Sequence, residues 1–429
     1  MPAFLFHPAA GPPFNYFHIR AEVTPLRISR IAVLFFFLMG TGGLLAQTGA
    51  PSKHFVRPLP GQTPPYSLGI EAGGVIYVSG QLPTDEKGNL VAGDFAAQAK
   101  QVFDNLRYVL KQAGSSLDSV VASSVMLQNA TDFPALDEMY RQQFTGTLPA
   151  RTTVIGEMVR PGALLEIQVT AVPPGVARTA ILPDGWAKPA SPYSYAIKAG
   201  DTLYMSGLVS RKGTDGSQVQ GDIGAQVKTL MDNAGVILKA AGMSYGDLVS
   251  GHVALKDMKL FAPMNDVYRT YWEKDRPARV SCEVSPPGTY DLEITFVAIK
   301  GRSPREVIIP ARPDGTPGQA GPNYSPAIKV GNRLFVSGGT GVTDANKGDM
   351  KAQIAETLAK FGPALKAAGF DYKDIVAVDV YLADVKKFGD MNEGYRPVFA
   401  SDPPVRASLG VRRLANEDAL VEAMVTAVK

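Results

Sequence analysis

The sequence predicts an α+β fold built from three tandem copies of one unit, each about 120 residues long, the size of a small domain. A Pro-Ala-Arg or Pro-Val-Arg motif occurs three times, and its arginines are spaced by 128 and then 127 residues. An apolar, β-prone run with a central glutamate follows each arginine at a separation of 14 to 16 residues. Each copy also contains several strand patterns and two helix patterns, which favours helices packed on one face of a sheet.

Further residues repeat at the same period. Four sets share the spacing of 128 and 127 residues: Gln98, Gln226 and Gln353; Gly114, Gly242 and Gly369; Phe133, Phe261 and Phe388; and Tyr140, Tyr268 and Tyr395. A Ser-Gly pair repeats with spacings of 127 and 131 residues, which places the length changes in the loop after it. So many fixed offsets exclude a chance match of one motif.

In the first copy, a β-rich run at 74–79 precedes an amphipathic helix pattern. Apolar residues recur at three- and four-residue spacing from Phe95 to Leu110, and Gly114 is predicted to end the helix. The other copies repeat this helix, with stops at Gly242 and Gly369.

The second half of the first copy is predicted to contain a strand at 120–127 and a helix at 132–144. Two strands, which carry Arg151 and Glu166, then close the unit. Short β-prone runs open the three copies at 54–56, 179–182 and 306–309.

The repeat divides the chain into an N-terminal segment at 1–46 and three domains, at 53–172, 178–300 and 305–429. The linkers between the domains are short, and five residues span at most about 17 Å. The three domains are therefore predicted to be close neighbours.

The N-terminal segment is typical of a secretory signal peptide, because Arg27 and Arg30 precede an apolar run at 31–39 and a small-residue end at Ala46. The chain is then exported, periplasmic or secreted, and cleavage is expected near Ala46. Two alternatives stay open: an uncleaved anchor, although the run is short for a membrane span of about 20 residues, or a misassigned segment on a cytoplasmic chain. Residues 1–26 are unusually long for the region before the apolar run and contain prolines and aromatics, which favours a misplaced start codon.

Composition excludes several classes of function. The net charge of +3 and the absence of a basic block give no reason to expect nucleic acid as a partner. The single cysteine, Cys282, excludes an intrachain disulfide and a multi-cysteine metal site. The four histidines do not recur with the repeat, which excludes a histidine triad or zinc centre in every copy.

An ordered set of motifs carries a family resemblance. They are Tyr-Val-Ser-Gly-Gln at 77–81, Gly-Asp at 93–94, Phe-Pro-Ala-Leu-Asp-Glu-Met-Tyr at 133–140, Pro-Ala-Arg at 149–151 and Leu-Glu-Ile at 165–167. The chain resembles the RidA/YjgF family of enamine/imine deaminases in all three copies. The resemblance implies chorismate-mutase-like domains and clefts between the neighbouring subunits of a trimer, which this chain would build alone as a monomeric pseudo-trimer.

The resemblance also implies an activity, the hydrolysis of reactive 2-enamino and 2-imino acids to 2-keto acids and ammonia at inter-domain clefts, with no metal or cofactor. The expected partner is a small 2-imino or 2-keto acid. Neither nucleic acid nor, after removal of the signal, a membrane is expected as a partner.

Carried over from the family by position, the site residues form five sets with one member per copy. The substrate carboxylate would be bound by Arg151, Arg279 and Arg406. Water would be oriented or activated by the catalytic residues Glu166, Glu293 and Glu422. The cleft tyrosines are Tyr66, Tyr193 and Tyr324, and the glycines beside the substrate are Gly80, Gly207 and Gly338. The position of a cleft asparagine holds Asp137, Asn265 and Asn392, of which Asp137 departs from the family pattern.

These residue types suit the chemistry. A planar guanidinium meets a carboxylate with two parallel, charge-assisted hydrogen bonds. An imine carbon is already electrophilic, so catalysis needs positioning, a water molecule and proton transfer. Some of these residues also have a structural alternative. The glutamates would occupy exposed strand positions, the tyrosines would close the domain entrance, and Phe133 and Tyr140 would belong to the core.

For the whole chain, the alternative to a deaminase is a non-catalytic module of the same fold that binds small carboxylates or serves as a scaffold. Ribonuclease activity, a name given to some members of the family, gains no support from this sequence, which has no evident histidine pair or basic groove.

Overall fold

The computed structural model describes residues 53–312 and 314–429, which belong to one compact unit. The predicted signal peptide at 1–46 lies outside these residues. Across the part of the chain that is described, no helix combines the length and the apolar character that a membrane span requires.

The first domain consists of six strands and two helices. They are β1 (His54–Val56), β2 (Gly69–Ala72), β3 (Val75–Val78), α1 (Phe95–Gln112), β4 (Val120–Leu127), α2 (Phe133–Gln143), β5 (Ala150–Ile155) and β6 (Leu165–Ala171). Helix α1 begins where the Asp94 carboxylate accepts a 3.0 Å hydrogen bond from the Ala97 N–H. It ends before Gly114, whose φ of 71° is left-handed and favours glycine.

The second domain repeats this order. Its elements are β7 (Arg178–Ile181), β8 (Ala196–Ala199), β9 (Thr202–Met205), α3 (Ile223–Ala240), β10 (Leu248–Leu255), α4 (Phe261–Tyr268), β11 (Ala278–Glu283) and β12 (Leu292–Ile299).

The third domain has the same order with two additions, a divided first helix and a short extra strand. Its elements are β13 (Arg305–Ile308), β14 (Ala327–Val330), β15 (Arg333–Gly339), α5 (Met350–Ala359), α6 (Gly362–Ala368), β16 (Ile375–Leu382), α7 (Phe388–Tyr395), β17 (Val405–Gly410), β18 (Arg413–Leu414) and β19 (Val421–Val428). Single 3₁₀ turns in the three domains are Leu117–Ser119, Ala130–Asp132, Tyr245–Asp247, Met258–Leu260, Arg269–Tyr271, Tyr372–Asp374 and Val385–Lys387.

The divided helix differs from the single helix that the sequence predicts for the third copy. The chain leaves α5 after Ala359 and resumes a helix at Gly362. Pro363, in the first turn of α6, explains the break, since it has no backbone N–H to donate to the Ala359 carbonyl and its ring would clash with that carbonyl in a continuous helix. The predicted stop is correct, because Gly369 has a left-handed φ of 80° at the C-cap.

The three sheets share one strand order. It is β1-β2-β3-β6-β4-β5 in the first domain, β7-β8-β9-β12-β10-β11 in the second and β13-β14-β15-β19-β16-β17 in the third. In each sheet the last two strands are parallel and the other neighbours are antiparallel. The short β18 of the third domain pairs with β11 of the second, Leu414 opposite Cys282, and gives the second sheet a seventh strand.

The helices of each domain cover one face of its sheet, as the sequence predicts. In the first domain, Phe103 and Leu106 of α1 pack with Tyr140 of α2 against Ile76 and Ile167 of the sheet. The second and third domains have equivalent apolar cores. Burial of these side chains is the main stabilising contribution within each domain.

The opposite sheet faces pack against one another across the domain boundaries. One apolar cluster contains Val154 of the first domain, Val280 and Cys282 of the second, and Phe335 and Met424 of the third. The neighbouring arrangement that the short linkers predict is therefore present.

One backbone hydrogen bond recurs at all three domain boundaries. It joins Ser194 N–H to the Pro149 carbonyl at 3.0 Å, Ser325 N–H to the Pro277 carbonyl at 3.2 Å and Ser67 N–H to the Pro404 carbonyl at 3.2 Å. The last of these connects the third domain with the first, so the three domains form a closed ring.

Candidate active site

Within one domain, the motif arginine and the motif glutamate lie on opposite faces of the sheet. In the first domain Arg151 is paired with Ser123 of β4, whereas Glu166 is paired with Met126. Directly paired residues point to the same face, and positions three apart on a strand point to opposite faces. The other sheets have the same register, with Gly251↔Arg279 and Ala254↔Glu293, and with Val378↔Arg406 and Tyr381↔Glu422.

Each arginine instead faces the glutamate and tyrosine of the next domain around the ring. The first cleft brings together Arg151, Glu293 and Tyr193; the second, Arg279, Glu422 and Tyr324; and the third, Arg406, Glu166 and Tyr66. The third cleft joins the last domain to the first. All three clefts are therefore composite sites between two domains.

The three arginines are buried, at 5%, 2% and 3% exposure in chain order, and each guanidinium lies among three aromatic rings. In the second cleft the guanidinium carbon of Arg279 is 4.7 Å from the ring centre of Tyr268 and 5.7 Å from those of Phe261 and Tyr324. The corresponding rings are Phe133, Tyr140 and Tyr193 in the first cleft, and Phe388, Tyr395 and Tyr66 in the third. These rings fix the plane of the guanidinium and favour its positive charge.

A buried serine of the next domain holds the backbone of each arginine. The Arg151 N–H donates to Ser206 Oγ at 2.8 Å, and Ser206 Oγ in turn donates to the Ser194 carbonyl at 2.6 Å. The same relay passes through Ser337 to Arg279 and through Ser79 to Arg406. These serines precede the predicted site glycines, and their recurrence in all three Ser-Gly pairs was the available sequence signal for their role.

The three glutamates are buried, at 7%, 5% and 8% exposure in chain order, which contradicts the alternative of exposed strand positions. Burial raises the pKa of Glu166 to about 7, and the Ser408 backbone and the charge of Arg406 act against this rise. Burial raises the pKa of Glu293 to about 8, opposed by the Thr153 backbone and Arg151. Burial likewise raises the pKa of Glu422 to about 8, opposed by Arg279.

The predicted site glycines leave room for these carboxylates. A Cβ on Gly80 would lie 2.7 Å from Glu166 Cδ, and a Cβ on Gly207 would lie 2.8 Å from Glu293 Cγ. Oε2 of all three glutamates is buried and has no hydrogen-bond partner within residues 53–312 and 314–429. Each cleft thus contains a carboxylate oxygen that is free to bind a proton or a small polar group.

The residue at the predicted asparagine position lies on the second helix of each domain, which covers the arginine. Asp137 Oδ1 accepts a 2.7 Å hydrogen bond from Arg151 Nη2, and both side chains are buried. In the other two clefts Asn265 and Asn392 take this place, and the structure gives no hydrogen-bond partner to the Oδ1 atom of either among the described residues.

The structure thus brings together all five predicted sets of residues, although each cleft takes its members from two copies. Phe133 and Tyr140 are helix residues that pack against the core, as one alternative held, yet their rings also contact the Arg151 guanidinium. The tyrosines adjoin the arginines of the neighbouring domain rather than only closing the entrance to their own.

A second polar region lies where the inner faces of the three sheets meet. This central cavity of about 240 Å³ is lined by Ser124, His252 and Asp379, which occupy the same position of β4, β10 and β16. His252 Nδ1 is 2.9 Å from the Tyr381 hydroxyl, and Gln168 Nε2 donates to Asp379 at 3.3 Å. The cleft glutamates Glu166 and Glu293 also line this cavity. The residue type at the Ser124, His252 and Asp379 position thus differs between the copies, whereas the arginine and glutamate of the clefts repeat.

The described residues contain no group of three or more His, Cys, Asp and Glu side chains placed to hold a metal ion. Cys282 is 3% exposed, and burial raises the pKa of its thiol. It is therefore an apolar packing residue.

The family model described as Endoribonuclease L-PSP matches the chain three times, over residues 59–173, 186–300 and 317–429. The protein belongs to this family, that is, to the RidA/YjgF family that its motifs resemble. The predicted fold class, three tandem α+β domains of this family, is confirmed.

Several known proteins are similar to single domains of the chain. A RutC family protein of Sulfurisphaera tokodaii is 44% identical over 115 residues, which are 27% of this chain and 92% of the relative. The 3-aminoacrylate deaminase RutC of Acinetobacter baylyi is 38% identical over 118 residues, 26% of this chain and 94% of the relative. A solved Rid family protein of unknown function from Yersinia pestis is 35% identical and covers 28% of this chain and 99% of its own, with a TM-score of 0.27.

Proposed function

We propose that the protein hydrolyses small 2-imino and 2-enamino acids to 2-keto acids and ammonia in the clefts between its domains. One observation carries the proposal: a buried arginine faces a buried glutamate in every cleft, and burial raises the pKa of these glutamates to between about 7 and about 8. In the second cleft, both Nη atoms of Arg279 lack a hydrogen-bond partner among the described residues. The arginine fits a carboxylate, and the glutamate fits proton transfer at neutral pH. The similarity to a 3-aminoacrylate deaminase adds support, because 3-aminoacrylate is an enamine with a carboxylate.

The arginine binds the substrate carboxylate and so places the imine carbon beside the glutamate. Water then attacks this carbon: its oxygen forms the new C–O bond, the glutamate accepts one of its protons, and the C=N electron pair moves to nitrogen, which takes up that proton from the glutamate. The carbinolamine then passes its hydroxyl proton through the glutamate to nitrogen as the C=O bond forms and the C–N bond breaks, and ammonia leaves. An enamine first takes a proton on carbon and loses one from nitrogen to become the imine. No other reactant is needed.

The test is hydrolysis by the purified mature chain of 2-imino acids generated in situ by an amino-acid oxidase, with semicarbazide trapping the remaining imine. We expect the wild type to accelerate imine loss and the triple variant Arg151→Ala/Arg279→Ala/Arg406→Ala to lose this acceleration. Arg107→Ala, which removes an exposed arginine of α1, is the matched control and should retain full activity.

Lack of acceleration by a folded wild-type chain over a broad panel of imino acids would contradict the deaminase. If keto acids still bound, and bound only with the arginines present, the protein would be the non-catalytic carboxylate-binding module instead.

We also propose that the chain is exported and works as a monomeric pseudo-trimer. Export rests on the sequence pattern at 27–46, and mass spectrometry of the mature N-terminus from the native host would test it. The monomer rests on the closed ring of domains, and light scattering of the purified chain would test it.

A further inference from the structure

The first cleft differs from the other two in the charge that its arginine already contacts. Asp137 of α2 forms an ion pair with Arg151, and the exposure of the two side chains is only 11% and 2%. Asn265 of α4 and Asn392 of α7 occupy this position in the second and third clefts. Arg151 therefore has a buried carboxylate partner within its own domain.

Within the part of the chain that the structure describes, the arginines of the other clefts have no such partner. Neither Nη atom of Arg279 has a hydrogen-bond partner within the described residues, and the Oδ1 atom of Asn265 also lacks one. Nη1 of Arg406 contacts the sulfur of Met391 at 3.8 Å, and a thioether is a weak acceptor. Unlike Arg151, these two guanidiniums have no carboxylate paired with them among the described residues, which leaves them available to an incoming carboxylate.

Asp137 acts on a ligand carboxylate in two ways. It occupies Nη2 of Arg151, so a ligand can no longer use both arms of the guanidinium fork. It also places a second negative charge in a buried site, where like charges repel strongly because little water screens them. The charge of Arg151 is already balanced before any ligand arrives.

We propose that Asp137 excludes carboxylates from the first cleft, so that one chain binds two 2-keto or 2-imino acids, in the second and third clefts, and not three. Asp137 is then a specificity-determining residue that mimics the ligand it keeps out. This inference rests on the proposed function, since it takes the motif arginines as the carboxylate-binding groups.

Calorimetric titration with pyruvate, a stable 2-keto acid, tests the stoichiometry. We expect two sites in the wild type, three in Asp137→Asn and one in Asn265→Asp, each affected site changing its affinity on the order of 100-fold. Asparagine stands at both equivalent positions, so Asp137→Asn is compatible with this fold. If that variant nevertheless fails to fold, Asn265→Asp carries the test in the opposite direction.

Variants with a single intact cleft sharpen the result. Arg279→Ala/Arg406→Ala retains only the first cleft and should not bind pyruvate, whereas the same chain with Asp137→Asn should bind one equivalent. The matched control, Arg151→Ala/Arg406→Ala, retains only the second cleft and should bind one equivalent. Circular dichroism would establish that each variant is folded.

Three sites in the wild type, or two in a folded Asp137→Asn variant, would overturn the inference and leave the proposed function intact. Two-site binding without imine hydrolysis would support the inference and contradict the deaminase. Absence of pyruvate binding to every variant would overturn both the inference and the role of the arginines.

Discussion

At the scale of single residues, the glutamates combine burial with a free carboxylate oxygen. A charge in such a place costs free energy that an exposed carboxylate does not. The positive charge of the neighbouring arginine offsets part of this free-energy cost. The two groups do not form an ion pair through Oε2, which has no partner among the described residues in any of the three glutamates. The pKa values of about 7 to about 8 follow from this balance, and they make the residues suitable proton acceptors near neutral pH.

The same burial predicts how stability depends on pH. The folded-state pKa of Glu422, about 8, lies above its ordinary value of 4.5, so its contribution to stability is complete below pH 4.5 and is lost as the pH rises through 8. Glu422→Gln should remove this loss. Relative to wild type, its free energy of unfolding should be similar near pH 4.5 and higher by on the order of 4 kcal/mol at pH 9, since one pKa unit corresponds to about 1.4 kcal/mol.

Urea denaturation at a series of pH values would measure this difference. Glu417→Gln removes an exposed carboxylate from the loop before the same strand and is the matched control, expected to follow the wild type at every pH. A pH-independent difference between Glu422→Gln and wild type would contradict the prediction.

At the scale of elements, the close approach of a glycine to a glutamate on the same sheet shapes each cleft. Gly80 follows β3, and Glu166 lies on the neighbouring β6 with its carboxyl group against the glycine. Gly80→Ala should push the Glu166 side chain out of position and lower hydrolysis in the third cleft by about tenfold or more, about 1.4 kcal/mol of transition-state stabilisation.

Steady-state kinetics in an Arg151→Ala/Arg279→Ala background, which leaves only the third cleft, would measure this effect. Gly146→Ala is the matched control, because a Cβ there meets no atom within 4 Å and the backbone needs no left-handed φ. Undiminished hydrolysis by a folded Gly80→Ala variant would show that the glycine does not position the glutamate.

The elements were also what the sequence predicted best. Hydrophobic periodicity located α1 and β4 closely, because each must bury one face of a regular pattern. The divided helix was missed, although Pro363 in the third copy was a visible signal. That Arg151 faces Glu293 of the next domain could not be predicted from the spacing of the motifs. The face of the sheet that a residue occupies depends on strand register, and the domain that lies opposite depends on tertiary packing.

At the scale of the whole molecule, the clefts and the central cavity share Glu166 and Glu293 but differ in which other residues repeat between the copies. Around the central cavity, Ser124, His252 and Asp379 occupy equivalent strand positions but have different side chains, so this position has no group common to the three copies. In the clefts, the arginine and glutamate are the same in every copy. A reaction that needs these two groups is therefore served by the clefts, each of which requires two intact, adjacent domains.

Because the clefts are composite, the ring must hold together through non-covalent contacts and not only through its linkers. The linker between β12 and β13 is exposed at Gly301, Arg302 and Ser303. If a protease recognition site were inserted there and cut, the third domain should remain bound to the first two. An apolar cluster shared by all three domains, strand β18 paired with β11, and bonds from Arg333 to Thr202 and Asp201 at 2.7 and 2.6 Å all cross that boundary.

Size-exclusion chromatography of the cut protein at micromolar concentration would show both fragments in one peak at the volume of the uncut chain. The uncut insertion variant is the control for any effect of the inserted residues. Imine hydrolysis should also survive the cut, since the second and third clefts each need the third domain in place. Separate elution of two folded fragments would mean that the affinity of the interfaces alone does not hold the ring closed. The linkers would then be needed to keep the domains at high effective concentration.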